Sequence, residues 1–302
     1  AYEIKECDWS SDVCSSDLSI SGAQEMHVRE REASQDIDQV TMFRPITKWA
    51  YSIPNVHKVQ EAVRKAFRIA MSDPYGPVLL DASRDILIEQ IEEDDWTPSS
   101  YRATSRAACA ASDLDTCAAL IEQAQRPIFL VGGGVLDDGS TDRMLQLAEA
   151  TGIPAATLQY HPDAFPTSHP LALGPLGRNG WSSANRAMPQ ADLIIAVGAH
   201  LDIFSTQFRY GIISRDARII HHSHSASDVG VVFPVTQGVI GSSSSFIDGM
   251  RSRLSGKRWS WTSVDELRAE WDSERRGLVN LKAHPILPPV VAHAMREALP
   301  EN

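Results

Sequence analysis

The sequence has few cysteines, no long apolar segment and no excess of positive charge. Its 302 residues include four cysteines, too few for a disulfide scaffold at this length and typical of a reducing compartment. No apolar run approaches the ~20 residues that a membrane-spanning helix needs, and the start lacks the charged-then-apolar pattern of a secretory signal. The formal net charge of -11 argues against nucleic-acid or anionic-membrane partners. We therefore expect a cytoplasmic protein with neither kind of partner.

The first segment also lacks a helical or strand period. Residues 5–18 contain Cys7 and Cys14, half of the cysteines in the chain. A disulfide loop or a cysteine-based metal site is the functional interpretation, but no further ligands accompany the two thiols. The segment is similar to a translated sequencing adapter of the kind found at the ends of gene fragments. We therefore expect residues 1–20 to be a non-native leader, with the native protein beginning upstream.

Two short apolar runs that end at glycine are the most informative features that are present. Residues 126–131 lead into Gly132, Gly133 and Gly134, and residues 191–197 lead into Gly198. Continuous runs of this length are typical of strands buried on both faces, and hence of a parallel sheet. Glycine at the carboxyl end of such a strand lets the backbone approach a phosphate-bearing ligand. The runs favour a nucleotide-type cleft, although Gly-Gly-Gly is not the spaced dinucleotide motif.

Strand and helix patterns alternate along most of the chain. The spacing of apolar residues predicts strands at residues 78–80, 128–131, 153–157, 193–197 and 218–221. It predicts helices at residues 59–71, 113–123 (capped by Ser112), 141–150 (closed by Gly152), 182–188, 242–254, 259–276 and 288–299. Residues 94–106 are polar and contain a proline, which indicates a linker. The alternation predicts a doubly wound parallel sheet with helices on both faces.

Several motifs occur in a fixed order, at residues 35–39, 43–49, 76–78, 127–134, 169–171, 174–180 and 191–193. In this order they resemble the thiamine-diphosphate-dependent enzymes of the acetolactate synthase and benzoylformate decarboxylase group. The resemblance implies that residues 21–98 are the C-terminal part of an α/β pyrimidine-binding domain. It implies that residues 99–258 are a complete doubly wound central domain (Rossmann-like, DHS-like). Residues 259–302 would then be a linker and the start of a diphosphate-binding domain.

The resemblance also implies an activity for the full-length parent. Such enzymes use thiamine diphosphate and Mg²⁺ to decarboxylate a 2-oxo acid, with or without transfer of the acyl unit, and they work as homodimers or homotetramers. The family's cofactor-activating glutamate and its Gly-Asp-Gly segment have no counterpart in this sequence. We therefore expect no catalytic residues, no resident metal and no turnover in this chain alone.

Gln35 and Lys48 match family residues that lie beside the cofactor and at the substrate entrance. A lysine at the entrance would attract the carboxylate of a 2-oxo acid. The alternative interpretation is a solvated loop glutamine and a surface lysine that extends along apolar neighbours.

The central domain holds FAD, ADP or no nucleotide in different members of the family. The candidate nucleotide-binding residues are Gly132, Gly133, Gly134, Gly177, Gly198 and His200. A tight strand-to-helix turn is the alternative for the three consecutive glycines. Asp137 and Asp138 follow them and would repel a nearby phosphate. His200 replaces an arginine of flavin-binding relatives and Ser223 replaces a ribose-binding aspartate, so we expect no tight FAD binding.

Three histidines near the end of a predicted strand could indicate a metal site. His222 and His224 would share a strand face, next to His221, and could chelate. A histidine cluster without metal is favoured, because metal sites usually need three or four positioned ligands.

Two other functions stay open at this point. An NAD-dependent dehydrogenase would explain the glycines, but it would have an acidic residue at the end of the second strand, where residues 157–159 are Thr-Leu-Gln. A stand-alone nucleotide-binding or scaffolding module would explain the α/β pattern without any catalytic group.

Overall fold

The computed structural model describes residues 17–92, 97–101, 103, 105–208, 211–254, 256–279 and 285–299. Contacts between residues divide the chain into two units, Ala1–Arg106 and Ala107–Asn302. The division lies at the end of the predicted linker rather than at residue 98. The cysteine-containing part of the predicted leader, residues 5–16, lies outside the described residues.

The first unit contains a three-stranded parallel sheet. Its elements are β1 (Leu18–Ala23), α1 (Gln39–Phe43), β2 (Trp49–Ser52), α2 (Val59–Ala70), β3 (Val78–Ser83) and α3 (Arg84–Ile88). The strand order is β1-β3-β2, and β3 pairs in parallel with both neighbours. The predicted helix at residues 59–71 and the predicted strand at 78–80 are confirmed. β1 begins at Leu18, so the sheet includes three residues of the predicted leader.

A helical repeat of alanines builds the core of this unit. Ala62, Ala66 and Ala70 lie four residues apart on α2 and are buried, because residues at this spacing share one helix face. They pack against Val78 and Leu80 of β3. Small side chains on the helix let it lie close to the sheet, which buries the larger residues of the strand.

The second unit is built around a six-stranded parallel sheet. Its elements are α4 (Ala111–Gln123), β4 (Pro127–Val131), α5 (Gly133–Asp137), α6 (Thr141–Thr151), β5 (Ala155–Thr157), β6 (Ala172–Pro175), α7 (Ser182–Ala187), β7 (Leu193–Val197), α8 (Ile203–Thr206), β8 (Arg218–Ser223), β9 (Gln237–Ile240), α9 (Ser243–Arg253), α10 (Thr262–Leu278) and α11 (Pro288–Ala298). The strand order is β6-β5-β4-β7-β8-β9.

Alternate residues of the central strands face two separate cores. Phe129 and Val131 of β4 belong to one buried cluster, and Ile128 and Leu130 belong to the other. A strand buried on both faces in this way requires helices on both sides of the sheet. The doubly wound parallel fold predicted from the sequence is therefore confirmed.

Most predicted elements are present, with a few corrections. The strand at residues 193–197 and the helix closed by Gly152, which has a φ of 71°, are confirmed. Ser112 is not the cap of α4, because that position is Ala110 and Ser112 lies inside the first turn. α10 begins at Thr262 instead of residue 259. None of the helices in the described ranges is long and apolar enough to cross a membrane.

Candidate functional site

The order of the strands places a crevice at the carboxyl ends of β4 and β7. From β4 the chain continues to β5 and β6 on one side of the sheet, whereas from β7 it continues to β8 and β9 on the other. Ligands of doubly wound proteins bind in the crevice at such a switch point. Gly132–Gly134 follow β4, and Gly198 and His200 follow β7. The structure therefore brings these predicted residues to one place.

The glycines at this crevice let the two strand ends touch. The Gly132 N–H donates to Val197 O over 3.0 Å, and the Gly134 N–H donates to Gly198 O over 2.9 Å. A Cβ at Gly132 would lie 2.4 Å from Gly198 O, and a Cβ at Gly134 would lie 2.8 Å from Gly198 Cα. The close approach explains the glycines as packing residues. Two of the three amides proposed for a pyrophosphate are already hydrogen-bonded within the protein.

Loops from other strands cover the same edge. A Cβ at Gly133 would lie 2.7 Å from the His161 ring, which comes from the loop after β5. Gly177 has a φ of 121°, and a Cβ there would lie 2.2 Å from Phe204 O. The Asn185 side chain accepts from the Gly177 N–H and donates to its carbonyl. The structure thus explains Gly177 by close packing against the segment after β7.

His200 lies on the surface beside a carboxylate that the sequence did not indicate. Its side chain is 68% exposed, and its Nε2 lies 3.8 Å from Asp228 Oδ2. The Ser223 hydroxyl donates to the same oxygen over 2.8 Å. Ser223 therefore binds an acid from the following loop, close to the strand position where the family has its aspartate. Because Asp228 is five residues beyond the strand position that the family comparison used, the motif alone could not identify it.

The two histidines of β8, His221 and His222, are fixed by backbone groups. His221 Nε2 lies 2.8 Å from Ala199 O, and burial lowers the pKa of His221. His222 accepts from the Gly198 N–H through Nδ1 and bonds Gly241 O through Nε2. Burial lowers the pKa of His222 to about 3. Both nitrogens of His222 are engaged, and the described residues contain no group of three potential metal ligands.

A polar cluster that sequence reasoning did not assemble joins α9 to the crevice. The Ser244 N–H donates to Asp138 Oδ2 over 3.1 Å, and His224 Nε2 lies 3.9 Å from that oxygen. The Ser243 hydroxyl donates to Gly134 O and lies 3.1 Å from His224 Nε2. The cluster places the Asp138 carboxylate at the amino end of α9. The sequence predicts a negative charge close to the glycines, and the structure places that carboxylate in this cluster.

Gln35 and Lys48 belong to the first unit. Gln35 is exposed and has a left-handed backbone with a φ of 65°. The Lys48 ammonium donates to Ile69 O, Ser72 O and Pro74 O over 2.7–2.8 Å and to the Ser72 hydroxyl over 2.9 Å. Burial lowers its pKa. An ammonium has three donors, and these partners engage all of them. The Lys48 ammonium therefore caps the end of α2, and its place at a substrate entrance stays a prediction.

Residues 114–250 match the protein family described as thiamine pyrophosphate enzyme, central domain. The matched segment contains all six strands of the larger sheet. Residues 114–250 of the second unit are a thiamine pyrophosphate enzyme central domain, and the chain belongs to this enzyme family. The family resemblance read from the sequence is confirmed.

Relatives of this chain are enzymes of the same family. The chain is 32% identical over 204 residues to a probable acetolactate synthase large subunit from Methanocaldococcus jannaschii, covering 66% of this chain and 34% of the relative. It is 30% identical over 253 residues to a sulfoacetaldehyde acetyltransferase from Alcaligenes xylosoxydans xylosoxydans, covering 80% of this chain and 41% of the relative. An acetolactate synthase large subunit from Corynebacterium glutamicum is 31% identical over 210 residues, with 68% and 33% covered.

The chain therefore spans between a third and about two fifths of the length of these relatives. A match that covers 80% of the chain is longer than the second unit, so it includes part of the first unit as well. The similarity to the enzymes thus extends beyond the central domain.

The described residues do not fit the reactive cofactor of the family. Mg²⁺ and the diphosphate it holds need several hard oxygen ligands, and the described residues contain no group of three or more His, Cys, Asp or Glu side chains that could hold a metal ion. We derive no catalytic step from these residues.

Proposed function

We propose that this chain is part of a longer thiamine-diphosphate-dependent enzyme that decarboxylates a 2-oxo acid and transfers the resulting acyl unit to an acceptor. The observation that carries the proposal is the similarity over both units to acetolactate synthases and sulfoacetaldehyde acetyltransferases. Both names describe synthesis or transfer of an acyl group. Transfer is therefore favoured over simple decarboxylation.

In this proposal each part of the chain has a different role. Residues 107–258 of the second unit are the central domain, whereas the first unit is the C-terminal part of the pyrimidine-binding domain. α11 belongs to the start of the diphosphate-binding domain. The exposure of the apolar residues Val291, Met295 and Leu299 supports this assignment. Thiamine diphosphate supplies the carbanion chemistry when bound, together with Mg²⁺, on segments outside this chain. The parent acts in the cytoplasm as a homodimer or homotetramer.

Two other functions fit less well. A dehydrogenase needs an acidic group after β5, and the strand ends at a buried Thr157. A stand-alone nucleotide-binding module needs free backbone donors in the crevice, where the Gly132 and Gly134 N–H groups already have partners.

Extension of the reading frame on both sides tests the proposal. The extended protein and the present chain are each incubated with pyruvate, thiamine diphosphate and Mg²⁺, and released CO₂ is measured. We expect release by the extended protein and none by the chain. The control is the extended protein with a chelator, which should be inactive. An extended frame without a Gly-Asp-Gly…Asn segment, or equal CO₂ release by the chain alone, contradicts the proposal.

A further inference from the structure

We infer that the crevice between β4 and β7 is filled by this chain's own groups, and that Asp138 serves as an internal anion in place of a nucleotide phosphate. The inference concerns the nucleotide that some central domains of this family hold. It does not depend on the reaction proposed above.

The backbone donors of the crevice are the first support. A phosphate at a strand-to-helix turn needs N–H groups that are free to point at it. The N–H groups of Gly132, Gly134 and Gly198 donate to Val197 O, Gly198 O and His222 O. Each of these bonds joins one strand end to its neighbour. A phosphate could use the three donors only by separating the strand ends.

The position of Asp138 is the second support. Its Oδ2 accepts from the Ser244 N–H over 3.1 Å, in the first turn of α9. Its side chain is 12% exposed, and that of His224, 3.9 Å away, is 8% exposed. The amino end of an 11-residue helix carries a partial positive charge that stabilises an anion. The carboxylate of Asp138 therefore occupies the anion position that α9 offers to the crevice.

The charge left on Asp138 is the third support. Its Oδ1 is buried and has no hydrogen-bond partner among the residues that the structure describes. A phosphate entering the crevice would meet this negative oxygen at short range, where repulsion is strong because little water screens it.

The carboxylate that follows β8 is also hydrogen-bonded within the chain. Asp228 accepts from the Ser223 hydroxyl through Oδ2 and from the Ser227 hydroxyl through Oδ1. Its two oxygens are thus bonded within its own loop, whereas a ribose-binding acid would present them to a hydroxyl pair. The Gly132, Gly134 and Gly198 donors and the Asp228 carboxylate are thus bonded within the chain, and the Asp138 carboxylate occupies the anion position at α9.

Thermal unfolding with added anions tests the inference. The whole chain is melted at neutral pH with and without ADP, FAD or inorganic pyrophosphate. We expect no change in Tm for the wild-type chain with any of the three. Asp138→Ala should melt about 2–6 °C lower, and pyrophosphate should recover part of that loss, because the vacated position can take an added anion. Asp142→Ala is the matched control, since Asp142 is a carboxylate at the amino end of α6, four positions further along the chain, but is exposed. This control should have the Tm of the wild-type chain, and pyrophosphate should not change that Tm.

A second variant covers a failure of Asp138→Ala to fold. Asp138→Asn keeps an acceptor oxygen for Ser244 and removes only the charge, so it should fold, melt lower than wild type and respond to pyrophosphate. Saturable micromolar binding of ADP or FAD to the wild-type chain overturns the inference. So does a destabilised Asp138 variant that pyrophosphate leaves unchanged, or one that melts like wild type.

Discussion

At the residue scale, His222 holds neighbouring strand ends together in its neutral form. It accepts from the Gly198 N–H, bonds Gly241 O and stacks on Phe246 at 4.8 Å between ring centroids. Burial is the largest cause of its lowered pKa, about 3 against 6.5. Because the folded state resists protonation of His222, this residue stabilises the fold fully only at a pH where it is neutral in both the folded and the unfolded state.

The pH dependence of stability follows from this shift. Because the folded-state pKa lies below the unfolded value, the stabilisation by His222 is complete above about pH 6.5 and is lost as the pH falls towards 3. The loss amounts to about 1.4 kcal/mol per pH unit for one proton. Urea unfolding at pH 8, 6.5 and 5 should show the free energy of unfolding falling below pH 6.5. His221, whose pKa burial also lowers, acts in the same direction.

A substitution separates His222 from the other histidines. His222→Gln should lose about 1–3 kcal/mol at pH 8, and its deficit against wild type should shrink at pH 5, where wild type has lost the same contribution. His293→Gln, at an exposed position of α11, should run parallel to wild type at every pH. A His222→Gln deficit that stays constant from pH 8 to 5 would rule out this explanation.

Lys48 gives a second prediction at this scale. Its ammonium is bonded to Ile69 O, Ser72 O and Pro74 O at the end of α2. Lys48→Met should lower the free energy of unfolding of the first unit by about 1–2 kcal/mol, a modest loss because the ammonium is partly solvated. Lys58→Met, which removes only an exposed pair with Glu61, should leave it unchanged. Denaturant unfolding measures both variants. Equal stability of the two would mean that the hydrogen bonds of Lys48 do not stabilise the first unit.

The role of Lys48 shows what the sequence could not reveal about single residues. Its partners lie 21 to 26 positions away, and the cis Asp73–Pro74 turn that presents one of them leaves no periodic pattern. The same holds for Asp138, whose partner Ser244 is 106 positions distant. The glycines were found because they follow apolar runs, but their packing role appeared only when the two strand ends met.

At the element scale, α10 attaches to the edge of the larger sheet. β6 is an edge strand, and the Arg268 guanidinium donates to Ala172 O at its start and to His169 O just before it. Trp271 of α10 stacks on Trp181 with 5.2 Å between the ring centroids. Arg186 of α7 pairs with Glu270 and Glu274 of α10. The aromatic and ionic contacts together anchor α10 on α7 and β6.

Removal of the Arg268 contacts tests this anchoring. Arg268→Ala leaves two carbonyls without their charged donor and should lower the free energy of unfolding of the second unit by about 1–3 kcal/mol. Arg275→Ala, which removes an exposed pair with Asp272 one turn away on the same helix, should have no measurable effect. Thermal and urea unfolding compare the two variants. Equal losses would mean that helix propensity, and not the contact with β6, matters here.

Elements with a strong local pattern were predictable, and elements that depend on their neighbours were not. β7 has a continuous apolar run, Leu193–Val197, and was predicted with its observed bounds. β6 and β9 contain glycine, proline or glutamine, so they show no strand pattern on their own. Pairing with β5 and β8 forms them. Tertiary pairing overrides weak local preference in such edge strands.

At the scale of the whole molecule, the second unit has its own closed core. Its two buried clusters lie on opposite faces of one sheet, and Phe246, Ile247 and Met250 of α9 belong to the first of them. Residues 107–302 expressed alone should therefore unfold in a single cooperative thermal transition. Residues 107–240, which lack α9, should not, because the truncation removes those three side chains and exposes the buried residues of the first cluster that they cover. Circular dichroism follows both, and a cooperative transition for the shorter piece would contradict the proposed boundary.

The central claim is the proposal that thiamine diphosphate is held by residues outside this chain. Calorimetric titration of the present chain with thiamine diphosphate and Mg²⁺ tests it most directly. The account predicts no saturable heat, because the described residues contain no group of three or more His, Cys, Asp or Glu side chains that could hold the metal. Saturable binding with a micromolar dissociation constant would contradict it.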